Sequence, residues 1–148
     1  MVTGAAYYEQ IITHLITTVE ALDATAYRDP ATVQGAGWTR ARRATPAHGI
    51  TTDLGFWLDL GGSVTFQRSR ITHDAAIVYA LRYRPDHDVS DQARIAASAR
   101  ILSECLATYS GPQGVRAVPT GYSMSLPPAG DAWVQVELRF TLSLPRGA

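Results

Sequence analysis

The sequence predicts an α+β domain: a mainly antiparallel sheet of about four to five strands, two helices packed on one of its faces, and a projecting polar arm. Three observations carry that prediction. Residues 133–144 alternate strictly, with Val134, Val136, Leu138, Phe140, Leu142 and Leu144 on one side and Gln135, Glu137, Arg139, Thr141 and Ser143 on the other. This is the pattern of a strand with one dry face and one wet face. Two stretches, 4–22 and 90–109, carry apolar stripes at three- and four-residue steps, and two further segments, 54–60 and 75–84, alternate as strands do. A lone strand cannot bury its apolar side, and amphipathic helices are the usual cover in a two-layer domain.

Taken in order, residues 4–22 place Tyr8, Ile11, Ile12, Leu15, Ile16, Val19 and Leu22 on one helical face, with Thr3 suited to the N-cap. Thr13, Thr17 and Thr18 lower the helix propensity, so this helix depends on packing. His14 lies near the stripe and reads as a structural histidine. Residues 23–52, punctuated by Pro30, Gly35, Gly37, Pro46 and Gly49, predict loops and one or two short strands. Within them Trp38, Arg40, Arg42 and Arg43 form a basic, aromatic-flanked segment, read either as a contact to nucleic acid or an acidic neighbour or as a solvated edge.

Leu54, Phe56, Leu58 and Leu60 form the dry side of the next strand, and Gly61–Gly62 permit a turn. A two-residue hairpin there would set Leu58 opposite Thr65 and Phe56 opposite Gln67, apolar against polar. A bulged excursion is therefore expected, in which residues 61–74 form the arm and the strand at 75–84 is the true partner. That strand shows Ile77, Tyr79, Leu81 and Tyr83 on one side and halts at Pro85. Asp88 or Ser90 is placed to cap the second helix, with Asp91 near the positive end of its dipole. Its stripe is Ile95, Ala99, Leu102, Cys105, Leu106 and Tyr109, and Gly111 and Pro112 stop it. Cys105 reads as a small core residue. A loop with a short strand is expected over 115–124, then a turn at PPAGD before the last strand.

The chain has 148 residues and suits one domain, spanning 1–148. Its apolar fraction of 46% and charged fraction of 18% are those of ordinary globular proteins, and no run reaches the roughly 18 apolar residues of a membrane span. The first residues show no basic stretch followed by an apolar core, so synthesis in the cytoplasm is expected. One cysteine excludes an internal disulfide and any multi-cysteine metal site. Net charge is zero, which argues against dedicated nucleic-acid affinity, yet all 13 basic residues are arginine. A GC-rich genome accounts for that bias, and so would a need for planar guanidinium groups at interfaces.

Catalytic constellations are weak. His87 stands between Asp86 and Asp88, and His73 adjoins Asp74, but acids beside a helix start are expected for capping alone. There is no GxSxG, Walker A, HExxH or dinucleotide fingerprint, and no cofactor is implied. Binding features are richer. Arg68, Arg70, Arg82 and Arg84 share parity in neighbouring segments and suggest one basic strip. Trp38, Trp57 and Trp133 are candidate interface anchors or ordinary packing residues. The wet face of the last strand, Gln135, Glu137 and Arg139, has no evident cover and suits a neighbouring subunit.

The order of elements, with a GY segment at 121–122, a short turn containing AGDAW and a closing alternating strand ending in RFTLSL, resembles the tail terminator proteins of long-tailed bacteriophages. The matching pieces are 8–22, 54–60, 75–85, 88–109 and 121–144. The resemblance implies a ring of six copies at the head–tail junction of the virion. Such a ring caps the tail tube, ends its polymerisation and joins it to the neck, with DNA passing through the lumen and no membrane involved. It also implies that Arg68 and Arg70 on the arm meet tube or neck protein and that some arginines face the lumen. Other readings are another head–tail connector, a minor tail subunit, a small enzyme using His73 and His87, or a regulatory module whose basic strip binds nucleic acid.

Overall fold

The computed structural model describes residues 4–23, 37–40, 53–125 and 132–145. Thr3, Arg42, Arg43, the turn at PPAGD and most of residues 23–52 lie outside them. The elements are α1 (Gly4–Glu20), β1 (Thr39–Arg40), β2 (Gly55–Asp59), β3 (Val64–Phe66), β4 (Arg70–Arg82), α2 (Asp88–Ala107), β5 (Arg116–Ser125) and β6 (Trp133–Pro145), with single 3₁₀ turns at Pro85–His87 and Pro112–Gly114. The predicted α+β class, with both helices on one face of a mostly antiparallel sheet, is what the chain adopts.

The sheet runs β1-β2-β4-β6-β5, and β3 extends the β2 side of β4. Its spine is β4 against β6, antiparallel through thirteen partners from Arg70↔Pro145 to Arg82↔Trp133. Register follows from burial, because a one-residue slip would turn every apolar side chain of β6 toward water. Val134, Val136, Leu138, Phe140, Leu142 and Leu144 are all buried, while Gln135, Glu137 and Arg139 between them are exposed. Each fully buried aliphatic or phenyl side chain contributes about 1.5–3 kcal/mol relative to leaving it in water.

α1 and α2 cover that inner face. Tyr7, Ile11, Leu15, Ile16 and Val19 of α1 and Ile95, Ala99, Leu102 and Leu106 of α2 join one core with Ile77, Tyr79 and Leu81 of β4. Tyr7 enters the core in place of Tyr8, which is half-buried. Two polar groups inside are satisfied locally: the Tyr79 hydroxyl lies 2.9 Å from Ser98 Oγ, and Ser98 Oγ donates to the Ile95 carbonyl at 2.7 Å. Tyr79→Phe removes one of these bonds and leaves Ser98 its backbone acceptor. A loss of about 1 kcal/mol in unfolding free energy is expected, read by chemical denaturation.

β2 pairs with β4 (Phe56↔Tyr79, Leu58↔Ile77), the partner expected from the leucine side of β2. Two details of this region differ from expectation. Leu54 is not part of the strand: it takes φ 58°, a conformation strained for a bulky residue, with its amide bonded to the Ala80 carbonyl and its side chain fully buried. Burial and those ladder bonds hold the strain in place. The arm is also shorter than 61–74. Residues 61–69 are exposed, whereas Arg70 to Asp74 lie inside the sheet between β3 and β6. The expected bulged excursion is present: β2 and β3 run along the same side of β4 with residues 60–63 interrupting the pairing between them. There Gly62 runs so close to β4 that a Cβ would sit 2.5 Å from the Asp74 carbonyl oxygen, leaving room for glycine only.

Residues 115–124 hold more than a short strand. β5 is ten residues long and forms an outer edge, broken by a register shift between Pro119 and Gly121. Proline lacks the ladder donor and Gly121 takes φ 152°, so the break falls where both residues are tolerated and the edge is blunted.

Candidate interaction surface

Among the described residues, no helix lies on the second face of the sheet. Register places its residues in rows: Asp59, Ala76, Arg139 and Gly121 across one, Trp57, Val78, Glu137 and Ser123 across the next, and Asp74, Thr141 and Val118 on the other side. Ala76 and Ala80 are buried, Trp57, Val78 and Trp133 half-buried, and the charged residues of β6 exposed. Near its centre lies a shallow depression of about 390 Å³, bordered by Asp59, Asp74, Thr120, Glu137, Arg139 and Thr141. Thr141 Oγ1 donates to Asp74 Oδ1 at 3.3 Å, Asp59 Oδ1 accepts the Gly61 amide at 2.8 Å, and Arg139 Nη1 donates to Ser123 Oγ at 3.2 Å. Three carboxylates against one guanidinium leave the depression negative. The wet face predicted for β6 is thus present, and Gln135, Glu137 and Arg139 lie together on it. Sequence alternation does not reveal Asp59, Asp74 and Thr120 as its neighbours, because their approach depends on the β2–β4, β4–β6 and β5–β6 registers, which alternation within one strand does not encode.

The four arginines expected to share a strip are separated. Arg70 and Arg82 stand at opposite ends of β4, about 40 Å apart at the usual strand rise. Arg70 is tied down, with Nε donating to Ser143 Oγ at 2.6 Å and Nη2 to the Ser143 carbonyl at 3.0 Å. Arg84 is bound to Asp91. Arg68 is exposed in the hairpin turn that the Gln67 amide closes on the Arg70 carbonyl, and Arg82 sits opposite Trp133. Trp38 belongs to the core, 3% exposed, with its ring 4.8 Å from that of Tyr79 and 6.2 Å from that of Phe56. Arg40, on β1, is exposed.

Behind the far end of β4 lies a buried ion network. Asp91 is fully buried; Arg84 Nη2 and Arg94 Nη2 reach its Oδ1 at 2.9 and 3.2 Å, and the Arg84 amide reaches Oδ2 at 2.6 Å. Arg94 also lies 3.6 Å from buried Asp53 and donates to the Arg82 carbonyl. Burial by itself would raise the Asp91 carboxyl, but the hydrogen bonds from Arg84 and Arg94 outweigh it and hold the group below its ordinary value of 3.8. So Asp91 joins α2 to the end of β4 and is not simply a dipole residue. Neither Asp88 nor Ser90 caps α2: the helix begins at Asp88, after His87, without a side-chain cap bond.

The histidines do not converge. His73 is buried on the helix-covered face, its Nε2–H donating to the Leu60 carbonyl at 2.7 Å and its ring edge-on to Tyr8. His87 is exposed in the turn beyond the other end of β4. His14 Nδ1 lies 3.1 Å from the Tyr109 hydroxyl, a structural role in line with expectation. Burial, helped by nearby Tyr7, pushes the Tyr109 phenol up to about 12, so it keeps its proton near neutral pH. Cys105 is half-buried on α2, and burial raises its thiol. Among the described residues no three His, Cys, Asp or Glu side chains gather to hold a metal ion, and no helix is long and apolar enough to cross a membrane. No protein-family model matches the sequence, and no curated protein matches it.

Proposed function

We propose that this chain is a structural subunit of the head–tail junction of a long-tailed bacteriophage, of the tail-terminator type. Copies join into a ring, six by the resemblance, that caps the tail tube, stops its growth and presents its other side to the neck, with DNA passing through the lumen. The observation that carries the reading is the agreement between the order of elements on which the resemblance rests and the fold. Helix, paired strands around an exposed hairpin, second helix and a closing alternating strand occur in that order. The closing strand lies inside the sheet, between β4 and β5, with its charged residues exposed. A small two-layer domain with one helix-free face and an exposed hairpin has surfaces on different sides, as head-to-tail association requires.

The test is electron microscopy of particles purified through a gold-labelled tag on this protein from its native source. Label in a single ring at the head-proximal end of tails is the expected result. Label along the tube or at its distal tip, or free protein without particles, would overturn it. Because Arg70 is bonded within the sheet, tail termination should respond to Arg68 more than to Arg70.

A further inference from the structure

We infer that the tip of the β3–β4 hairpin of one copy docks, through Arg68, into the negative depression on the helix-free sheet face of a second copy. The hairpin turn is exposed throughout, and beside it Phe66 is 67% and Val64 41% exposed, so an apolar flank accompanies the cation. Among the described residues Arg68 meets no acid. The depression offers the complementary charge: Asp59, Asp74 and Glu137 surround it against Arg139 alone, and both aspartates retain a second carboxylate oxygen for a guanidinium. At 390 Å³ it has room for that group with part of its stem.

The chain's own Arg68 cannot fill the site. Asp74 and Ala76, which border it, lie four and six residues along β4 from Arg70, about 13 and 20 Å at the strand rise, and the turn carries Arg68 farther away. That is beyond the extension of an arginine side chain. Donor and acceptor surfaces are therefore different patches, and their pairing is heterologous: each copy gives a tip and receives one, which closes a ring or extends a chain. This contact would be the joint of the ring proposed above, and it rests on that reading only for what the joint builds.

Sedimentation velocity of the purified full chain at low and physiological salt tests it. Wild type is expected to form species larger than a dimer, weakening as salt rises. Arg68→Ala removes the tip, and Asp74→Asn with Glu137→Gln removes the site; each is expected to weaken association at least tenfold and leave monomer at the same concentration. Mixing the two variants should restore a 1:1 dimer and nothing larger, since one good tip meets one good site. These residues are exposed, so circular dichroism of each variant should match wild type. Wild type that stays monomeric, wild type that stops at a dimer, or variants that associate as wild type does would each overturn the docking. Loss of this docking with label still at the head-proximal end of tails would reject the joint alone, whereas intact docking with label elsewhere would reject the terminator role alone.

Discussion

Asp91→Asn is expected to lower the unfolding free energy by roughly 3–5 kcal/mol, the range for removing one member of a buried ion pair. The loss exceeds that of an exposed pair because Asp91 is fully buried and receives bonds from the Arg84 amide and from two guanidinium groups. With the carboxylate gone, Arg94 keeps Asp53 at 3.6 Å, but Arg84 loses its close partner and the first turn of α2 loses its tie to the end of β4. Urea denaturation of wild type and variant at neutral pH measures the difference. The pH dependence gives a second reading. Since the folded-state value of Asp91 is depressed, its contribution is complete above the unfolded value near 3.8 and is lost as pH falls through the lower folded value. Wild type should therefore lose stability in acid below about pH 4, and the variant should lack that part of the slope. A variant as stable as wild type, with the same acid profile, would show the network to be dispensable.

Phe140→Ala is expected to destabilise by about 3–5 kcal/mol, the transfer loss of a phenyl ring plus the cavity left behind. Phe140 is 1% exposed, on the dry side of β6 opposite Ala75. Its chain neighbour Arg139 points the other way, and Arg139→Ala should stay within about 0.5 kcal/mol of wild type. Thermal unfolding of the pair checks the facing of β6, and equal effects would contradict it. The contrast bears on function, because a face whose charged residues can be replaced without unfolding the domain is available for association.

Much of this fold was legible in local pattern. The two apolar stripes located α1 and α2, the alternation of residues 133–144 named every buried residue of β6 within it, and the mismatch of a tight Gly61–Gly62 hairpin pointed to β4 as the partner of β2. These succeed because burial acts on each strand or helix with the period of its own backbone. The misreadings share another cause. Trp38 reads equally as a surface anchor because it precedes a two-residue strand, too short for any periodicity to reveal its side. Asp91 resembles a helix-dipole residue because its bonds from Arg84, and the link through Arg94 to Asp53, form only once α2 folds back on the end of β4; the Asp91–Arg94 pair itself is local, one helical turn apart. β5 was underestimated because Pro119 and Gly121 are breakers in isolation and acceptable at a bulged edge.

For the candidate surface the division is the same. By itself the sequence determined that Gln135, Glu137 and Arg139 share a wet face and that Arg68 lies in a polar excursion, since both follow from alternation and turn chemistry along a few residues. Only the tertiary structure decided that Asp59 and Asp74 join Glu137 around one depression, that Arg70 and Arg84 are already engaged, and that Arg68 stands too far from the depression to reach it within one chain. Those outcomes depend on strand register and on the length of β4, and register is set by how whole faces pack, which no single stretch of residues contains.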